Sequence, residues 1–138
     1  MKIIIVISLI GSFIYSVTFK SLESASVQDE KKWEVPAKFK TMKNPVASDA
    51  ESLSIGKELY NKHCKSCHGT KGKGDGPKSM ELETPSGDFT TVDFQKQTDG
   101  ELFYKTKEGR DDMPSFKKKI SEDEDIWSIV NYVRKFKT

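Results

Sequence analysis

Cys64, Cys67 and His68 stand in the run Cys64-Lys65-Ser66-Cys67-His68, and C-x-x-C-H is the attachment sequence for a c-type haem. The spacing has a mechanical reason. Two thiols three residues apart lie on one side of a helical turn, where each can form a thioether to a vinyl group on the same porphyrin edge. The adjacent imidazole is then delivered to the iron. His68 would supply the proximal nitrogen, and its other ring nitrogen needs an acceptor to fix tautomer and orientation. Pro77 and Pro85, in the loop that follows, are the candidates for that carbonyl.

A sixth ligand must come from elsewhere in the chain, and a soft thioether suits low-spin haem iron in an electron carrier. Met113 is the best placed, in Asp112-Met113-Pro114-Ser115-Phe116. Pro114 biases Met113 toward an extended backbone, which holds its side chain out from a loop. Met80 falls in a Gly-rich stretch and Met42 in an N-terminal arm, while His63 directly precedes Cys64 and cannot reach the opposite haem face.

Other chemistries fit these residues less well. A thioredoxin-like redox pair or a structural disulfide would use Cys64 and Cys67, but redox folds of that kind need strands, and no strand pattern is present. Zinc wants four ligands, and His63, Cys64, Cys67 and His68 crowd six consecutive positions without a second cluster. Gly72, Gly74 and Gly76 lack the preceding strand and following helix of a phosphate cradle, and read as loop.

The elements that position these groups read as helices. Ser48 and Glu51 form a capping box ahead of Ala50, Leu53, Leu59 and Tyr60, which predicts a first helix to about His63. Residues 69–94 hold too many Gly and Pro for regular structure. A second box, Thr98 with Glu101, opens a helix that stops at Gly109. A third, Ser121 with Glu124, opens the last helix, with Ile126, Trp127, Val130 and Val133 on one face. Acidic residues fill its first turn and Arg134, Lys135 and Lys137 its last, as the helix dipole favours. The fold class is all-α, three or four helices with long loops around one covalently bound haem.

The 138 residues divide into three parts. Residues 1–26 have the charged start and apolar run of a secretory signal, with a cleavage point after Ser26, or act as an uncleaved membrane anchor. No cysteine lies there to carry a lipid. Residues 27–47 read as an extended arm or linker, on which Trp33 and Phe39 offer docking side chains. Residues 48–138 carry the domain. Charged residues are 32% and hydrophobic residues 35%, a polar balance for a self-sufficient core, which a large apolar cofactor would resolve. With 23 Lys+Arg against 21 Asp+Glu, nothing favours nucleic acid. Lys117, Lys118 and Lys119 form either a docking surface for an acidic partner or a solvated run.

At these residues the region from about Ser48 to Thr138 resembles a class I monohaem cytochrome c of the small bacterial kind. The resemblance rests on a helix with Gly56 and Tyr60, the Cys64 to His68 site, the Gly-x-Gly-Asp-Gly-Pro loop at 72–77, the Pro85 to Phe89 segment, Met113-Pro114, and a final helix bearing Trp127 and Tyr132. It implies that the first and last helices cross closely, with Gly56 and Tyr60 meeting the Trp127 to Val133 face. It also implies haem c with His68 and Met113 as axial ligands, an exposed haem edge, and Pro85 as the carbonyl acceptor. The implied function is single-electron transfer by a monomeric carrier, not an enzyme, either free or as the electron-accepting subunit of a larger oxidoreductase. Its partners would be redox protein donors and acceptors, respiratory-chain complexes among them. The chain would work after export, in the periplasm or tethered to the outer face of the cytoplasmic membrane. The alternative is a haem-based ligand sensor or peroxidase-like protein with a labile sixth site.

Overall fold

The structure, a computed structural model, describes residues 32–137. The expected leader or anchor at 1–26 lies outside these residues. Among those described there are six α-helices: α1 (Ala37–Lys40), α2 (Ala50–His63), α3 (Lys65–His68), α4 (Val92–Gln95), α5 (Asp99–Glu108) and α6 (Asp123–Val133). Of these, α1, α3 and α4 are single turns, so the three long helices are the ones that side-chain periodicity makes visible. No strand occurs among the described residues, only an isolated bridge between Arg110 and Met113. None of their helices is long and apolar enough to cross a membrane.

The ends of the helices are set by local chemistry. Helix α2 is capped by Asp49, whose Oδ1 accepts the Ser52 N–H at 2.9 Å, not by Ser48. Aspartate caps as well as serine and adds a negative charge to the positive helix end. The Ser52 backbone bond holds the Asp49 carboxyl below its usual range. The box at Thr98 and Glu101 forms with both reciprocal bonds, and Gly109 ends α5 at φ 69°, a left-handed value that favours glycine. The box expected at Ser121 does not form. Helix α6 starts after Glu122 without a side-chain cap, and the Ser121 hydroxyl turns to Glu122 Oε1. Asp123, Glu124 and Asp125 in the first turn supply the dipole compensation instead.

The core gathers Tyr60, Leu102, Phe103, Phe116, Ile126, Trp127, Ile129 and Val130, with the Phe103 and Trp127 rings stacked at 4.1 Å. Its main seam is the crossing of α2 on α6. A Cβ added at Gly56 would lie 2.0 Å from the Ser128 carbonyl oxygen and 3.0 Å from Tyr132 Cβ, so the backbones touch because position 56 has no side chain. Gly56→Ala should gain up to about 1 kcal/mol of helix propensity. Overpacking costs about 1–3 kcal/mol, and this clash is with backbone, so the net result should be destabilisation by roughly 2 kcal/mol. Denaturant unfolding of the two proteins checks this; equal midpoints would show that the helices separate freely.

The compact unit begins at Trp33, not at Ser48. Residues 33–47 are therefore packed where the sequence suggested an arm. Val35 is buried, and the Phe39 ring lies 4.7 Å from Tyr104 and 6.4 Å from Phe103. A Cβ at Gly100 would fall 2.0 Å from the Phe39 carbonyl oxygen, which marks how closely this segment lies on α5. Farther along, the Asn44 side chain donates to Asn131 Oδ1 at 2.9 Å, and buried Asn131 donates in turn to the Val46 and Ala47 carbonyls. A buried amide that fills its partners this way fixes register as well as adding stability.

Candidate haem site

Helix α2 delivers the motif. The Cys64 N–H donates to the Tyr60 carbonyl at 2.8 Å as α2 closes, and the chain then winds directly into α3. Within it the Cys67 and His68 N–H groups donate to the Cys64 carbonyl at 3.2 and 2.9 Å. Positions i, i+3 and i+4 of one turn share a face, so both thiols and the imidazole emerge together. Gly69 follows at φ 78° and ends the turn.

The Gly-rich loop is built onto this turn. The N–H groups of Gly74, Gly76 and Lys78 donate to the carbonyls of His68, Cys67 and Ser66 at 3.0, 3.1 and 2.8 Å. A side chain at Gly76 would collide with the Ser66 carbonyl at 2.4 Å. Tyr60, fully buried, donates its hydroxyl to the Gly69 carbonyl at 2.7 Å and ties the turn back to α2. Burial raises the Tyr60 pKa, so it stays a neutral donor. The sequence marked these glycines as loop; what it did not show is that their backbone holds the motif.

Both cysteines are free, Cys64 buried and Cys67 half-buried. Burial pushes the Cys64 thiol up to about 12, the opposite of the lowered pKa that thiol–disulfide exchange requires. Burial lowers His68 to about 4, with the Ser86 backbone working against that shift. At neutral pH the ring is therefore neutral, the form with a lone pair for a metal. Its Nδ1 is buried and closes no hydrogen bond. The Phe89 ring lies 4.4 Å from the imidazole and stacks on Phe94 at 4.3 Å. Phe89 is a site residue that the motif alone did not single out; its signal was its place at the end of the Pro85 to Phe89 segment.

The resemblance implied the Pro85 carbonyl as partner for the ring. In the structure Pro85 is exposed and the backbone acting on the imidazole is that of Ser86. One residue earlier the Thr84 N–H donates to Asp112 Oδ2 at 2.8 Å. That bond also joins the loop before His68's neighbour Phe89 to the loop that carries Met113.

Met113 is half-buried and packs against the core cluster that includes Cys64. Its loop is a tight turn in which Arg110 and Met113 exchange both backbone hydrogen bonds at 2.8 Å. Asp111 sits at φ 49°, a strained value for a residue with a side chain. Beyond Pro114, Ser115 Oγ and the Phe116 N–H both donate to the Lys107 carbonyl, at 2.9 and 3.2 Å, folding the loop onto the end of α5. The His63 ring lies against that of Phe116 at 5.7 Å.

This donor set fits haem c: two free thiols and a neutral imidazole on one face of a turn, the imidazole with an unpartnered buried nitrogen, and a thioether on a separate loop. The fold and site define a small monohaem c-type cytochrome. The chain belongs to the family described as cytochrome c oxidase, cbb3-type, subunit III, whose model matches residues 51–133. No curated protein matches it. Among solved structures it is similar to a chain of the Kuenenia stuttgartiensis reducing HAO-like protein complex Kustc0457/Kustc0458, with 30% identity and a TM-score of 0.62, over 68% of this chain and 47% of that one. The chain thus spans just under half the length of that protein. It is also similar to the KustC0563 c-type cytochrome, with 32% identity and a TM-score of 0.53, over 60% of this chain and 98% of that one. A mutant of Kustc0563 matches at 30% identity and a TM-score of 0.51, over 60% of this chain and 99% of that one. The protein is a haem-based electron-transfer protein.

Proposed function

We propose that the chain holds one haem c through Cys64 and Cys67, with His68 and Met113 as axial ligands, and carries single electrons between redox proteins outside the cytoplasm. The observation that carries this reading is the shared face of Cys64, Cys67 and His68 on the single turn formed by Cys64 and α3. Haem bound there supplies one-electron chemistry, its iron alternating between ferric and ferrous states.

The protein's own residues do the rest. Cys64 and Cys67 fix the group to the α2–α3 junction, which Tyr60 and the Gly-rich loop make rigid. His68 presents a neutral nitrogen, and the Ser86 backbone is the one that acts on its ring. Phe89 limits rotation of the imidazole from its side. Met113, held by the Arg110 turn and by Pro114, supplies a soft ligand that favours the reduced state. With His68 and Met113 both holding the iron, no site would be left for substrate, and the chain would act as a carrier rather than a catalyst.

The similarity to a component of a HAO-like complex favours a second arrangement of the same chemistry, in which the chain is the electron-accepting subunit of a larger oxidoreductase. Co-purification from the native membrane or periplasm separates the two.

The carrier reading is tested with carbon monoxide. Added to the reduced, purified protein, it should bind slowly or not at all, because Met113 must leave first. Rapid, stoichiometric binding would show an open sixth site and shift the function to ligand sensing or peroxidase-like chemistry.

A further inference from the structure

The segment before the cytochrome core reaches the Met113 loop. Trp33 lies outside the stretch that matches the family, residues 51–133, yet its indole is flanked by two cations of the core. The Arg110 guanidinium lies 4.6 Å from the ring centroid and Lys105 Nζ 5.5 Å. Val35, two residues on, is buried and fastens the segment to the domain. Burial lowers the Lys105 pKa, in keeping with a cation partly withdrawn from water against the indole and the Gln97 side chain.

Arg110 is not a bystander to the site. Its backbone makes both hydrogen bonds to Met113, and its side chain pairs with Asp111 Oδ2 at 3.1 Å. Asp111 is the residue at φ 49°, so the turn that presents Met113 contains backbone strain and needs support from outside. A guanidinium set over an indole and paired with the strained residue supplies it.

We infer that Trp33 is a positioning residue, bracing the Met113 loop through Arg110 and so setting how often the loop opens and the thioether leaves the iron. The N-terminal segment is then part of the redox site and not merely a tether. This rests on the proposed ligation by Met113.

The test is the rate at which saturating imidazole replaces the protein's own sixth ligand in the oxidised, full-length holoprotein, since at saturation that rate reads loop opening. Trp33→Ala should raise it about threefold to tenfold, the range a cation–π contact supports. Trp33→Phe, which keeps an aromatic face, should stay close to the parent. Arg110→Ala removes the other half of the contact, together with the Asp111 pair, without depending on the fold of the N-terminal segment, and should raise the rate at least as much as Trp33→Ala. The double variant should be no faster than Arg110→Ala alone. Met113→Ala serves as the reference, binding imidazole with no opening step. An unchanged rate in both Trp33→Ala and Arg110→Ala beside a fast Met113→Ala would overturn the brace and leave the ligation standing. Effects of Trp33→Ala and Arg110→Ala that multiply in the double variant would overturn it too, by showing that each acts alone. If Met113→Ala binds imidazole no faster than the parent, the ligation itself fails and the brace with it.

Discussion

Replacing Cys64 and Cys67 together by alanine should convert the protein from one whose haem survives denaturation and acid extraction to one that loses it completely. Both thiols lie on the face that also carries His68, and two covalent bonds hold the group whether or not the chain is folded. In the double variant retention depends on axial ligation and the fit of the pocket alone, so unfolding releases everything. The single variants, Cys64→Ala and Cys67→Ala, each keep one bond and should retain haem through denaturation at lower yield. Haem staining of a denaturing gel, with mass spectrometry of the intact chain, reads all four proteins. Loss of a buried side chain at Cys64 also leaves a cavity, worth on the order of 1 kcal/mol, which is small beside the loss of the cofactor from the core. A double variant that still carries haem after denaturation would place the attachment elsewhere.

Met113→Ala should lower the reduction potential by a substantial part of the roughly 0.8 V that axial ligands can span. The thioether stabilises ferrous iron, and its removal leaves water or hydroxide to take the position, which favours the ferric state. The same variant should bind carbon monoxide and imidazole promptly. Redox titration followed by visible absorbance measures the first effect, and rapid mixing the second. The substitution leaves the Arg110–Met113 backbone bonds in place, so the loop should keep its course and the change should be confined to the ligand. A potential within experimental error of the parent would remove Met113 from the ligand set.

What could be read from the sequence follows from the range of the interactions involved. The attachment motif is a local code, five consecutive residues whose spacing matches one helical turn. The α5 boundaries were equally legible, because Thr98, Glu101 and Gly109 act within a turn of the ends they define. The face of α6 repeats with helical period and was visible for that reason. The N-terminal caps of α2 and α6 were not, since several neighbouring acidic and hydroxyl residues compete for the same N–H groups and the side chain that wins depends on the path of the incoming chain.

The packing of residues 33–47 left no periodic trace. It depends on Trp33 meeting Arg110, Phe39 meeting Tyr104 and Asn44 meeting Asn131, contacts between residues far apart in the chain that no local pattern encodes. The same is true of Tyr60 and Gly69, where a pairing nine residues apart fixes the turn that carries the chemistry. That the Ser86 backbone rather than that of exposed Pro85 acts on His68 is again a matter of tertiary geometry.

The most direct measurement of the central claim is the visible spectrum of the full-length protein, oxidised and then reduced, after expression in a host with cytochrome c maturation machinery. The account predicts sharp α and β bands on reduction, together with the weak long-wavelength iron–thioether band in the oxidised form, all present in a protein whose colour persists through denaturation. A high-spin spectrum would contradict ligation by Met113, and a colourless protein would contradict haem attachment at Cys64 and Cys67.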